Sequence, residues 1–172
     1  MGKLISNPII VSELFIDEAE ILRQVLSESY QQYERYYSPQ GWKDYSRKIV
    51  SSVDSPNVDK ILVAKRNQEI IGSLQLFKSS EKAYGNPELE IQAPIIRLLA
   101  VLPRARGYGV GKALLATAIN EVKTSGQSNM YLHTTEFMDG AIQLYKGFGF
   151  RRDESKDFVR EDILCKCYRL DV

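Results

Sequence analysis

Ile96-Arg97-Leu98-Leu99-Ala100-Val101-Leu102-Pro103-Arg104-Ala105-Arg106-Gly107-Tyr108-Gly109-Val110-Gly111-Lys112-Ala113-Leu114-Leu115 is the stretch on which the fold turns. From Ile91 to Leu102 the chain is nearly all apolar, as a central strand buried on both faces would be, and Pro103 ends the run. Three glycines follow within five residues, and a helix starts at once, with Leu115, Ala118, Ile119 and Val122 on one face. The start of a helix offers unbonded N–H groups and the positive end of a dipole. Glycines carry no Cβ to hold an anion away from the backbone. Arg104, Arg106 and Lys112 add positive charge. The segment therefore reads as a phosphate or pyrophosphate site, against the plainer reading of a Gly-rich linker. A Walker A loop would need glycine where Arg106 stands and Ser or Thr where Ala113 stands. A dinucleotide fingerprint starting at Gly107 would need glycine where Lys112 stands, and a βαβ setting that this chain lacks.

Working outward, Leu22, Val25, Leu26, Ser29, Tyr30 and Tyr33 share one helical face. Ser38-Pro39-Gln40-Gly41 reads as a turn, followed by a short helix around Lys43 to Val53. Lys60–Lys65 and Glu69–Phe77 alternate on either side of Asn67-Gln68, which is a hairpin pattern. Ser79 to Pro87 reads as a loop. Downstream, Met130–Thr134 is a strand and Asp139 caps a helix with Ala141, Leu144, Tyr145 and Phe148 at i, i+3, i+4 and i+7. Gly149 stops that helix, while Gly147 inside it weakens the last turn by up to roughly 1 kcal/mol relative to Ala. Phe150–Arg152 and Asp162–Leu170 finish as strands. The order predicts an α+β (three-layer α/β) fold with a mixed sheet, in one domain over residues 1–172.

Composition removes several classes. The formal net charge is +1, with 44% hydrophobic and 26% charged residues, so no basic excess points to nucleic acid. No apolar stretch approaches the roughly 18 residues of a membrane span, and the N-terminus lacks the apolar core of a signal peptide. Gly2 and Ser6 match a myristoylation spacing, a short and common pattern. Cys165 and Cys167 build neither a disulfide framework nor a zinc site. The expectation is a cytoplasmic protein with reduced thiols and no metal.

The run Val101-Leu102-Pro103-Arg104-Ala105-Arg106-Gly107-Tyr108-Gly109-Val110-Gly111 resembles the central motif of the GCN5-related N-acetyltransferase (GNAT) family: Arg or Gln, two residues, Gly, one residue, Gly or Ala. A second family-like run, Ala141-Ile142-Gln143-Leu144-Tyr145-Lys146-Gly147-Phe148-Gly149-Phe150, follows at the expected distance. The resemblance is firm from about Ile61 to Phe150. It implies a mixed, mostly antiparallel sheet of six to seven strands flanked by helices on both faces, with acetyl-CoA as co-substrate. By the same resemblance Arg106 and the backbone of Gly107, Tyr108, Gly109, Val110, Gly111 and Lys112 hold the pyrophosphate. The strand at Leu99, Ala100 and Val101 splays from its neighbour to pair with the pantetheine arm, and one of its N–H groups polarises the thioester carbonyl. Tyr145 protonates the departing CoA thiolate. Many members carry Asn where this chain has Met138, so that contact is either absent or supplied by Thr134, Thr135 or Asp139.

Read from the residues alone, Tyr145 is either a proton donor or a core tyrosine of the Leu144/Tyr145/Phe148 stripe; its phenol is protonated at neutral pH. The acceptor side is less legible. The expected acceptor is a small-molecule or peptide amine. Relatives often place a Glu on the strand matching Ile95 to Val101; here there is none. Glu88 and Glu90 just upstream are the best substitutes as base, or else plain solvated loop carboxylates with water or substrate taking the proton, and no base is assigned. His133 reads more readily as a packed residue than as a catalyst. The stretch from Ser29 to Tyr45 holds five tyrosines, among them Tyr33, and the only tryptophan, Trp42. With Glu34 and Asp44 it reads as an aromatic wall for a cationic amine, or as a homodimer contact. Two functional readings compete with acetyl transfer to a primary amine: transfer of another acyl group or to another acceptor, and a non-catalytic acyl-CoA-binding module.

Overall fold

A computed structural model of the chain describes residues 7–172; the Gly2/Ser6 pattern lies outside them. These described residues hold eight strands: β1 (Ile10–Glu13), β2 (Lys60–Arg66), β3 (Glu69–Phe77), β4 (Ile95–Val101), β5 (Asn129–Thr134), β6 (Arg151–Arg152), β7 (Phe158–Arg160) and β8 (Ile163–Asp171). The sheet runs β1-β2-β3-β4-β5-β8-β6, with β7 paired to β8 alone. Every pair is antiparallel except β4 with β5. The strand count exceeds the six to seven expected. The surplus comes from β1 and β7, which are too short to carry a periodic signal. The turn before β8 is made by Glu161 and Asp162, both with positive φ (53° and 61°). Without glycine or asparagine it gives no hairpin signal.

Among the described residues five α-helices complete the fold: α1 (Ala19–Tyr30), α2 (Pro39–Ser51), α3 (Ser80–Tyr84), α4 (Val110–Thr124) and α5 (Asp139–Gly147). Ser38-Pro39-Gln40-Gly41 is a helix start, not a turn. The Ser38 hydroxyl accepts from the Gly41 N–H at 3.0 Å, and Pro39 occupies the first helical position, where its missing N–H costs nothing. Likewise Ser79 caps α3 inside the segment read as loop, and Gly85 closes it in the left-handed region (φ 64°).

The layers follow from the alternation of β3. Gln75 donates to the Ser52 hydroxyl at 2.9 Å just beyond α2, so the odd face of β3 meets the α1/α2 layer. Gly72 lies on the other face, where an added Cβ would sit 2.8 Å from Val110 Cγ1 and 3.3 Å from Leu114 Cδ1 of α4. Leu22 and Leu26 of α1 and Leu114, Leu115 and Ala118 of α4 are fully buried in one core. Among the described residues no helix is long and apolar enough to cross a membrane.

Two irregularities in β4 create the site. Ser73 pairs with Ala100, but Gln75 pairs with Arg97, so β4 spends one residue more than β3 over that step. Leu98 takes up the excess with φ 52°, a bulge that bends the strand. On its other edge β4 meets β5 only at Ile95↔Tyr131 and Ile96↔Leu132. Past that point the two parallel strands part, and β4 from Leu99 to Val101 has no ladder partner on that side.

Candidate active site

The strand-to-helix turn leaves a row of backbone amides open. Gly107 and Gly109 both adopt φ 83°, a conformation open to glycine and costly for other residues. Gly109 caps α4 with no side chain engaged, and the first intrahelical bond there runs from Ala113 N–H to Gly109 O at 3.0 Å. The N–H groups of Val110, Gly111 and Lys112 are therefore left free of helical partners. Gly111 has a second reason to be small: a Cβ there would approach Leu144 Cδ2 of α5 to 3.0 Å. Arg106 staples the turn to the end of α1 by donating to Ser29 O at 3.2 Å and to the Gln32 side chain. Arg104 points elsewhere and pairs with Glu69 and Glu28. The Tyr108 side chain is exposed, beneath the Arg66 guanidinium at 5.1 Å.

From this turn a cleft of about 620 Å³ runs along β4. Leu99, Ala100 and Val101 line one wall, and Met138, Ala141 and Leu144 line the other. A second, smaller cavity of about 70 Å³ lies beyond it, and the two share Tyr30, Tyr33, Leu99, Met138 and Ala141. The opening between β4 and β5 thus connects a long groove to a compact pocket. Phe137 stacks on Tyr36 (centroids 4.4 Å, planes 5° apart) and touches Tyr33 and Tyr37, which ties the loop before α5 to the turn after α1.

Tyr145 lines the smaller cavity and is 6% exposed. Its ring meets Phe150 edge-on at 6.0 Å. Its hydroxyl makes no hydrogen bond among the described residues, and burial pushes its pKa up, so the phenol stays protonated. Tyr33 lines both cavities. Trp42 does not reach either one; it packs on Tyr37 and Tyr45 and faces a separate cleft between α1 and α2. Glu88 and Glu90 are exposed on the loop before β4 and line neither cavity. Glu34 and Asp44 also lie outside both linings; Glu34 accepts from Gln31, and Asp44 from Gln40. Thr134 and Thr135 line the smaller cavity, and Asp139 lines the groove.

His133 sits in the smaller cavity with both ring nitrogens engaged. Lys156 O, at 2.8 Å, only accepts, so Nε2 carries the proton and Nδ1 accepts from the Tyr84 hydroxyl at 2.9 Å. Burial pulls its pKa from 6.5 down to about 4. Above pH 6.5 the ring is neutral in both the folded and the unfolded chain. As pH falls toward 4 the unfolded chain binds the proton first, so stability drops. Between pH 7 and pH 5 the loss is expected to reach up to roughly 2 kcal/mol. Urea midpoints should show it, and His133→Gln should flatten that part of the profile.

Several lining residues carry no local sequence signal. Tyr30 at the end of α1 donates to Leu99 O at 3.4 Å, against the bulge. Arg97 on β4 and Arg160 on β7 both line the smaller cavity, and Cys165 on β8 faces it as well. Burial raises the Cys165 thiol pKa, which leaves it protonated and a poor nucleophile.

Residues 19–150 match the Acetyltransferase (GNAT) family. N-acetyltransferase 8B of Rattus norvegicus is 27% identical over 125 residues, covering 68% of this chain and 54% of the relative. The IAA acetyltransferase of Azospirillum brasilense is 29% identical over 91 residues, covering 53% of this chain and 54% of the relative. The chain spans about half the length of the curated relatives it matches. Among solved structures, the paia N-acetyltransferase of Thermoplasma acidophilum in complex with coenzyme A superposes with a TM-score of 0.66 at 20% identity, covering 93% of this chain and 98% of that one. The yncA protein of Salmonella typhimurium, solved with acetyl-CoA, gives 0.65 at 13% identity, covering 96% and 94%. At these identities the likeness is one of fold.

Proposed function

Because the chain belongs to the acetyltransferase (GNAT) family, we propose that it moves an acetyl group from acetyl-CoA to a primary amine, which attacks the thioester directly while both are bound. One observation carries the reading. A groove that starts at the free amides of α4 and follows the unpaired edge of β4 meets a pocket holding a protonated tyrosine with no hydrogen-bond partner among the described residues. The amides of Val110, Gly111 and Lys112, with the Lys112 ammonium, suit a pyrophosphate. The edge from Leu99 to Val101 suits an extended arm that bears amides, and it supplies N–H donors for a carbonyl oxygen gaining negative charge. The relatives of this fold solved with coenzyme A and with acetyl-CoA support the choice of co-substrate.

In the step, the amine nitrogen bonds to the acetyl carbon and the carbon–sulfur bond breaks. The Tyr145 phenol donates to the departing sulfur. The amine's surplus proton goes to water, since no carboxylate lines the smaller cavity and both His133 nitrogens are engaged. The protonated Cys165 thiol disfavours a covalent acyl-enzyme. A thiol-release assay with acetyl-CoA against a panel of amines tests the reading, and amine-dependent release is expected. Binding of CoA with no release on any amine would turn the protein into an acyl-CoA-binding module. No binding at all would remove both readings.

A further inference from the structure

The smaller cavity has the wrong charge for a cationic acceptor. Its lining contains no carboxylate, and its imidazole is neutral. Two guanidinium groups stand in it, Arg97 and Arg160, and neither pairs with a carboxylate among the described residues. Arg97 donates once, to Ala83 O at 2.7 Å, and lies over the rings of Tyr84 and Phe77 at 4.9 and 5.7 Å. Arg160 lies over Tyr45 at 5.1 Å and makes no side-chain hydrogen bond among the described residues. A guanidinium has five donors, so both groups keep donors free for a ligand. Arg152 shows the satisfied alternative on the same sheet. It grips Asp157 through both nitrogens, at 2.7 and 2.8 Å, and takes that carboxylate out of play.

A second observation points into the same cavity. The Thr134 and Thr135 hydroxyls are buried, at 3% and 4% exposure, and find no partner among the described residues. Two arginines and two unpartnered hydroxyls therefore line one small space together with Tyr84, Phe158 and Tyr45. At about 70 Å³ that space suits a small planar anion, and the fork of Arg matches a carboxylate through two parallel hydrogen bonds.

We propose that Arg97 and Arg160 form a carboxylate subsite, so that the acceptor is an amine carrying a carboxylate on the same small molecule, as amino acids do. The proposal rests on the acetyltransferase reading for the amine, but the subsite itself can be tested without turnover. Protein saturated with CoA is titrated calorimetrically with 3-phenylpropionate, its amide, phenethylamine and phenylphosphate. The acid is expected to bind about tenfold or more tighter than the amide and the amine. Arg160→Gln and Arg97→Gln should each remove most of that preference while leaving CoA affinity unchanged. The acid binding no tighter than the amide overturns the subsite, as does a preference that survives in both variants. Tighter binding of phenylphosphate overturns the carboxylate assignment. If the variants do not fold, the comparison of acid with amide on the unaltered protein decides alone. Thiol release with cationic amines together with equal binding of acid and amide sinks the subsite and leaves acetyl transfer standing. A clear preference for the acid with no release on any amine supports the subsite and overturns acetyl transfer.

Discussion

Tyr145→Phe is expected to lower kcat by roughly a hundredfold or more, with KM for acetyl-CoA and the unfolding midpoint nearly unchanged. The size is that of one lost hydrogen-bond donor aimed at an atom that gains charge in the transition state. The selectivity follows from the environment of the hydroxyl. It makes no hydrogen bond among the described residues, so its removal breaks no internal bond, and the ring keeps its packing on Phe150. Tyr145 lines the pocket and not the groove along the free edge of β4, so the variant should still bind CoA. Burial raises the phenol's pKa, while an ordinary thiol has one near 8.5. Full transfer of the proton to sulfur is therefore uphill. The phenol acts mainly as a hydrogen-bond donor that strengthens as sulfur gains charge. No loss of activity through ionisation of Tyr145 is expected at mildly alkaline pH. Steady-state kinetics of both proteins, read as thiol release, checks the prediction; an unchanged kcat would remove Tyr145 from the chemistry.

Gly72→Ala should have the largest effect on stability, about 2–3 kcal/mol. A Cβ at this position would lie 2.7 Å from the Ala100 carbonyl oxygen and 2.8 Å from Val110 Cγ1. One obstacle is backbone and the other is the first residue of α4, so neither is the free end of a flexible side chain. The clash touches two parts of the groove's lining, the strand at Ala100 and the helix start at Val110. KM for acetyl-CoA is expected to rise by about tenfold alongside the loss of stability, because small displacements at a positioned site are costly. Gly147→Ala is the control. Its Cβ meets nothing within 4 Å, and its φ lies outside the left-handed region, so it should gain up to roughly 1 kcal/mol by stiffening α5. Urea denaturation of the three proteins separates the cases. A Gly72→Ala variant as stable as the parent would mean that β3 and α4 can move apart freely.

The difference between these two glycines marks the limit of sequence reading. Both stand in regular elements, and nothing within a few residues tells them apart. Gly147 could be judged by helix propensity alone. Gly72 is required by residues 28 and 38 positions away, on a neighbouring strand and a helix. The same holds for the bulge. Leu98 has φ 52° without being a glycine, so the bend that parts β4 from β5 leaves no local mark. The turn at Ser38-Pro39 was misread for another reason. Ser followed by Pro can open a turn or cap a helix, and only the Gly41 amide bonded to the Ser38 hydroxyl distinguishes them.

What the sequence by itself determined was the half of the site built from consecutive residues. An apolar strand, three closely spaced glycines and a helix start specify a row of free backbone amides, because the direction of those donors is set by local φ and ψ. Tyr145 was legible on the same ground, since its helix fixes its face. The pocket across the gap was decided by tertiary structure. Arg97, Thr134, Thr135 and Arg160 come from three strands and a loop and form no motif. Glu34, Asp44 and Trp42, which the sequence offered either for an acceptor wall or for a dimer contact, fall outside the lining. The charge of a cavity is the sum over whatever side chains the packing brings together. Here the packing brought two arginines and no carboxylate from the described residues to the smaller cavity, a sign that the run of tyrosines with Glu34 and Asp44 gave no means of reading.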